Sequence, residues 1–201
     1  MTTQTRTSEL EAVNTILSTI GESPLNTLSG SLPVDGTIAK NVLSEVSREV
    51  QSQGWHFNTH YKVTLTRDTD NKIPLATNIV RVEVDPRRYS KVSYDIVQRN
   101  NFLYNLAKNE ETFDTNFQDA TAVYLLPFDE IPEQAKRYIT IRSARIFHDR
   151  TLGANTIHKF TQEDEKRALS ILKQAEASTG DYTIFDTPSQ AYTINRNNRV
   201  Y

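Results

Sequence analysis

Apolar residues recur at helical spacing near both ends of the chain and alternate with polar residues between them. Leu10, Val13, Leu17 and Ile20 share one helical face. Ser8 and Glu11 have the spacing of a capping box, in which each side chain bonds the other's backbone N–H. Gly21 and Pro24 end this helix. The Gly/Pro/Ser-rich stretch 21–36 reads as a long loop anchored by Leu25, Leu28 and Leu32. A second helix is predicted from about Thr37 to Ser52. Its stripe is Ile38, Val42, Val46 and Val50, widened by Ala39 and Leu43, and Gly54 closes it.

The period then shortens to two. Tyr61, Val63 and Leu65 alternate with polar residues and predict a strand; RDTDNK (67–72) is a turn or hairpin tip. Val80, Val82 and Val84 give a second strand, followed by a turn at Asp85-Pro86-Arg87-Arg88. Val92, Tyr94 and Ile96 predict a third strand, and Phe102-Leu103-Tyr104 a weaker fourth. Residues 107–118 read as a polar loop, and 120–126 as a fifth strand stopped by Pro127. Helical spacing returns with Ala135, Ile139, Ile146 and Phe147, capped by Asp129 or Glu130 with Pro132 in the first turn. Thr161 is expected to cap a last helix, with Ala168, Ile171, Leu172 and Ala175 on its core face and Gly180 at its end.

Residues 181–201 are broken by Gly and Pro yet carry Tyr182, Ile184, Phe185, Tyr192, Ile194, Val200 and Tyr201. They are too apolar for a solvated linker. They read as an extended arm that orders on a neighbour, with Tyr182, Phe185, Tyr192 and Tyr201 as its partner-binding anchors. The expected class is therefore α+β. An antiparallel helical bundle forms from N- and C-terminal helix pairs (1–57 and 131–180). An antiparallel β subdomain (58–130) is inserted between them, and the arm (181–201) follows.

Composition narrows the chemistry. The 201 residues include no cysteine, which excludes disulfides, thiol catalysis and cysteine metal sites. The formal net charge of −2 disfavours a general nucleic-acid-binding domain. No apolar run approaches the ~18–20 residues that span a bilayer, and the N-terminus lacks the apolar core of a signal peptide. No membrane anchor is expected, and the chain suits the cytoplasm. Charge is uneven: residues 1–57 have net −3 and residues 131–180 net +3. Attraction within one bundle, attraction between subunits of a ring, or ordinary solvated helix faces would each account for this.

No catalytic motif stands out. The six glycines are scattered, so no phosphate loop forms, and neither GxSxG nor HExxH occurs. His56 and His60 enter a strand-like segment, where residues four apart are separated by about 13 Å at a ~3.3 Å rise; no metal or cofactor site is expected. His148-Asp149 reads as a surface pair near a helix end. Glu110, Glu111 and Asp114 cluster in one loop, and Asp129, Glu130 and Glu133 at a helix start. The first cluster sustains an alternative reading as a glycan hydrolase of the cell envelope. Arg87, Arg88 and Lys91, next to Tyr89, form a local cationic turn that could touch DNA phosphate or a partner. A monomeric scaffold or nucleic-acid-binding protein unrelated to virions is a further alternative.

Four stretches carry a resemblance that spans nearly the whole chain: LEAVNTILSTIGESPLNTL (10–28), VLSEVSREVQSQGWHFNT (42–59), IPEQAKRYITIRSARIF (131–147) and EDEKRALSILKQAEA (163–177). The chain resembles the tail tubular protein A family, the head-to-tail adaptors of short-tailed phages of the autographivirus type. The resemblance implies a structural virion protein rather than an enzyme. It implies a homo-oligomeric ring, a dodecamer, beneath the portal protein and above the tail nozzle protein (tail tubular protein B). Tail fibres attach near that junction, and genomic DNA passes through the bore with transient, non-specific contact. The expected location is the virion tail, after assembly in the host cytoplasm.

Overall fold

The structure is a computed structural model. It describes residues 5–85, 87–90, 92–153 and 155–180, with the side chains of 154–161 outside that description. Tyr182, Phe185, Tyr192 and Tyr201 of the expected arm, and Lys91, lie outside the described residues.

The described residues form helices α1 (Glu9–Ser18), α2 (Val34–Gln51), α3 (Glu133–Thr151) and α4 (Asn155–Thr179), and strands β1 (Thr59–Leu65), β2 (Ile79–Glu83), β3 (Ile96–Arg99), β4 (Phe102–Asn105) and β5 (Phe117–Tyr124). This is the expected mixed α+β class. Ser8 caps α1 in the capping box that its spacing predicts. Helix α2 starts at Val34, earlier than expected, because Pro33 already supplies an extended N-cap. Pro132 is likewise the N-cap of α3 and not part of its first turn. Asp129 and Glu130 sit in a short 3₁₀ turn before it. Thr161 falls inside α4, whose first residue is Asn155.

Two apolar cores result. The first is built by the helices, from Val13, Ile16 and Leu17 of α1, Val42, Leu43, Val46 and Val50 of α2, Tyr138, Ile139 and Phe147 of α3, and Ala168 and Leu172 of α4. Leu25 and Leu28 of the long loop pack against it. Two residues of the expected stripes are exposed: Ile38 at 41% and Ile171 at 43%, each one step off the buried arc of its helix. His148 is buried, not at the surface, because it lies one turn beyond buried Ala144.

The second core belongs to the strands. β5 is the centre of an antiparallel sheet in the order β1-β5-β2, and β3 and β4 form a separate antiparallel pair. Three register shifts set its faces, one between β2 and β5 at Ile79/Arg81 and two between β1 and β5. Between His60 and Val63, β1 has one residue more than β5, with Lys62 at φ 58°. The extra residue turns Tyr61 outward, 58% exposed, while Leu65 remains buried. Between Phe117 and Ala120 the extra residue is on β5, with Asp119 at φ 59°. This bulge lets both Phe117 and Ala120 face inward.

The expected third strand is displaced to Ile96–Arg99, and Val92 is 88% exposed. The backbone before β3 is occupied by turns instead: the N–H groups of Arg88 and Tyr89 bond Asp85 O, and those of Ser93 and Tyr94 bond Ser90 O. The stretch 107–118 is not only polar loop. Phe113 and Phe117 are buried, and Phe117 is ringed edge-on by Tyr89, Tyr94 and Phe113 at centroid distances of 4.8, 5.4 and 5.4 Å. Phe117→Ala should remove about 3–5 kcal/mol of stability through the cavity left among these rings. Denaturant unfolding would measure this as a lowered midpoint.

Candidate assembly interface

The chain crosses from the helical core to the strand core at residues 51–59 and returns at 124–133. Buried polar side chains tie the two crossings together. Gln51, 2% exposed, accepts from Leu126 N (2.7 Å) and donates to Leu126 O (3.1 Å) and Ser47 Oγ (3.0 Å). Asn58, fully buried, donates to Gln51 O and Tyr124 O, both at 2.8 Å, and accepts from Trp55 N at 2.9 Å. Both amides therefore satisfy backbone groups that burial would otherwise leave unpaired. Gly54 permits the crossing. Its φ is +77°, and a Cβ there would meet Val123 Cγ2 at 3.2 Å and the Arg81 guanidinium.

The return crossing has a buried cation. Lys136 is 1% exposed and donates from Nζ to Thr7 O (2.8 Å) and Asp129 O (3.1 Å). Glu133 accepts from Thr7 N at 3.1 Å and from the Thr7 hydroxyl. The segment preceding α1 is thus fastened to the start of α3. Glu176 of α4 accepts from His56 N at 2.5 Å and joins the last helix to the outward crossing.

Part of the opposite charge of the helix pairs is matched within the subunit, by Arg142–Glu49 and Arg150–Glu45. Arg142 of α3 bonds Glu49 of α2 (2.6 Å) and Glu165 of α4 (3.1 Å). Arg145 also reaches Glu165, and Arg150 forms a fork with Glu45 at 2.9 Å on both oxygens. The Arg150 guanidinium holds the Glu45 carboxyl below its ordinary range.

The cationic turn divides. Arg88 is held by Gln118 (2.7 Å) and Asp119 (2.5 Å), the two residues that the β5 bulge presents. The adjoining Tyr89 hydroxyl accepts from Gln118 N at 2.9 Å. Arg88 is therefore engaged in fixing the turn. Arg87 is exposed, and its guanidinium has no partner among the described residues.

A family model described as tail tubular protein matches residues 10–182. The chain belongs to the tail tubular protein family. Tail tubular protein A of Klebsiella phage KP34 is 26% identical over 168 residues, which cover 83% of this chain and 86% of that relative. Membership makes the chain a structural component of a phage tail, and the interest of its surface lies in assembly.

For this tail tubular protein the acidic loop is structural in its contacts. Glu111 pairs with Lys72 at 2.7 Å, and Lys108 lies 3.7 Å from Glu110 and 3.9 Å from Asp114. Tyr94 donates to Asp114 at 2.6 Å and holds that carboxyl below its ordinary range, with Lys108 and Arg67 adding to the effect. A glycosidase acid needs the reverse, a carboxyl raised by burial or by a like charge. His56 is fastened by its backbone to Glu176, and the His60 ring lies 4.5 Å from that of Tyr124. Sequence reasoning did not single out Gln51, Asn58 or Lys136. A polar residue beside a helix end carries no mark that it will be buried.

Gln51→Leu should cost about 2–4 kcal/mol, since it strands both backbone groups of Leu126. Asn58→Ala should cost a similar amount. The double variant should lose less than the sum in denaturant unfolding, because both amides serve one crossing. The lowered Asp114 value contributes stability that is fully present above the ordinary carboxylate range and lost as pH falls through the lowered folded value. In Tyr94→Phe, the Asp114 titration followed by NMR should move upward.

Proposed function

We propose that the subunit is a ring-forming head-to-tail adaptor that joins the portal to the tail nozzle and gives passage to genomic DNA. Family membership over residues 10–182 carries this reading. The buried ties between the two cores support it, because a ring subunit that bears load between two partners needs a fixed angle between its parts. In this proposal the helix pairs (1–57 and 131–180) form the antiparallel bundle and act as the stiff wedge. The β subdomain (58–130) offers loops to a different partner, including tail fibres. A dodecamer is the proposed closed state, in the virion tail below the portal, after assembly in the host cytoplasm.

Assembly proceeds by docking on the circular portal, which raises the effective concentration of neighbouring copies. Heterologous head-to-tail contacts then close the ring. Residues 181–201 act as an arm, with Tyr182, Phe185, Tyr192 and Tyr201 binding a neighbour or the portal. Arg87 is the member of the cationic turn proposed to touch passing DNA or a partner. A mildly acidic subunit suits a conduit, since a strongly basic bore would grip the phosphate backbone.

Light scattering of the purified protein, alone and with purified portal, tests the reading. A large complex with portal is expected, and truncation after Gly180 should weaken it. A monomer that ignores the portal would overturn the adaptor reading; a complex indifferent to the truncation would overturn the role of the arm.

A further inference from the structure

The outer face of the β3–β4 pair is an apolar surface edged by cations that neither core uses, with Lys72 Nζ 5.8 Å from the centroid of the Phe102 ring. Register pairs Val97 with Tyr104 and Arg99 with Phe102, and an isolated bridge sets Pro74 beside Phe102. Register partners point to the same side of a sheet. The opposite side carries Ile96, Gln98, Leu103 and Asn105. Leu103 and Asn105 are buried, Ile96 packs on the strand core, and Gln98 donates to Ile79 O at 3.1 Å. Val97, Phe102 and Tyr104 therefore face away from the core, and none of them belongs to either apolar cluster. The Arg99 guanidinium lies 3.7 Å from the centroid of the Tyr104 ring and has no carboxylate partner among the described residues. This stack holds a cationic fork in place over a half-buried aromatic surface.

A second surface has the complementary character. Val34 (74% exposed) and Ile38 (41% exposed) lie one turn apart on the same side of the first turns of α2, next to exposed Pro33. Tyr61, Val92, Leu106, Leu152 and Ile171, the other exposed large apolar residues among those described, have no such companion at helical spacing. Asp35 adjoins Val34 and has no partner among the described residues. One surface thus offers an unpaired cation beside apolar side chains, and the other an unpaired anion beside apolar side chains.

We propose that the occupant of the hairpin face is the α2 start of a second copy of this chain. Val34 and Ile38 cover Pro74, Phe102 and Tyr104, and Asp35 meets Arg99. The proposal rests on the ring reading above and adds which surfaces meet. Each copy carries both surfaces, so the contact is heterologous and repeats around a ring. A phosphate backbone is a poorer occupant: it would satisfy Arg99 but has no apolar area with which to cover Val97, Phe102 and Tyr104.

Because the chain has no cysteine, the contact can be trapped cleanly. Val34→Cys/Pro74→Cys is assembled on purified portal and treated with a short bis-maleimide. A ladder of covalent multimers is expected, with no more than dimers from either single variant. In the full-length chain, Arg99→Glu and Asp35→Lys should each raise the concentration for half-assembly about tenfold, through like-charge contact. The double charge exchange should recover to within about threefold of wild type, and unchanged thermal midpoints would show that the variants fold. Assembly on portal without the ladder, or without rescue by the exchange, would overturn this contact and leave the ring reading standing. Failure of the wild type to assemble on portal at all would overturn both.

Discussion

The structure depends on burying two amides where the chain passes between its cores. Two connections join the helical core to the strand core, and a joint of that kind is loose unless its backbone groups are paired. Gln51 and Asn58 pair them. Each amide offers a donor and an acceptor on one planar group, so one side chain can satisfy both an N–H and a C=O of the facing crossing. Water would compete for the same groups in an exposed joint. Inside, the bonds also exclude alternatives, because any shift of one crossing against the other leaves a buried polar group unpaired. Lys136 acts in the same way at the return crossing with carbonyl partners, and it brings the segment before α1 into the joint.

Charge is spent in two different ways. Between α2, α3 and α4 it is consumed internally, with Arg142, Arg145 and Arg150 answered by Glu45, Glu49 and Glu165. Two of these pairs, Arg142–Glu49 and Arg150–Glu45, join the acidic N-terminal and basic C-terminal helix segments within one subunit. In the β region the β5 bulge offers Gln118 and Asp119 to Arg88 and holds the turn down. Arg87 and, apart from its stack on Tyr104, Arg99 are left without a carboxylate partner among the described residues. Membership of a phage tail family gives such leftover groups their interest, since a tail component is defined by the surfaces it presents to other subunits.

The bulges in the β1–β5 pair show where reading by period succeeds and where it stops. Alternation in 61–65 placed a strand correctly but put Tyr61 on the wrong face, because the extra residue at Lys62 reverses the alternation. The polar character of 107–118 concealed Phe113 and Phe117, the latter at the centre of the strand core. Two isolated aromatics among polar neighbours have no period to betray them. His148 was obscured in a similar way: polar identity suggested exposure, while its position one turn past Ala144 put it inside.

Elements whose signal is local were legible in the order of residues alone. The Ser8–Glu11 capping box, the amphipathic stripes of α1 and α2, the stop at Gly54 and the alternating valines around β2 depend on residues within one or two turns of each other. The mixed α+β class and the family resemblance were legible for the same reason. Which polar groups are buried, which strand takes the extra residue and which cations remain unpaired follow only from the packing of distant segments. Gln51 meets Leu126, Lys136 meets Thr7 and Arg142 meets Glu49 across more than seventy positions of chain. No local pattern encodes such a partner, because the energy of a buried hydrogen bond or ion pair exists only once the fold has removed the water between them.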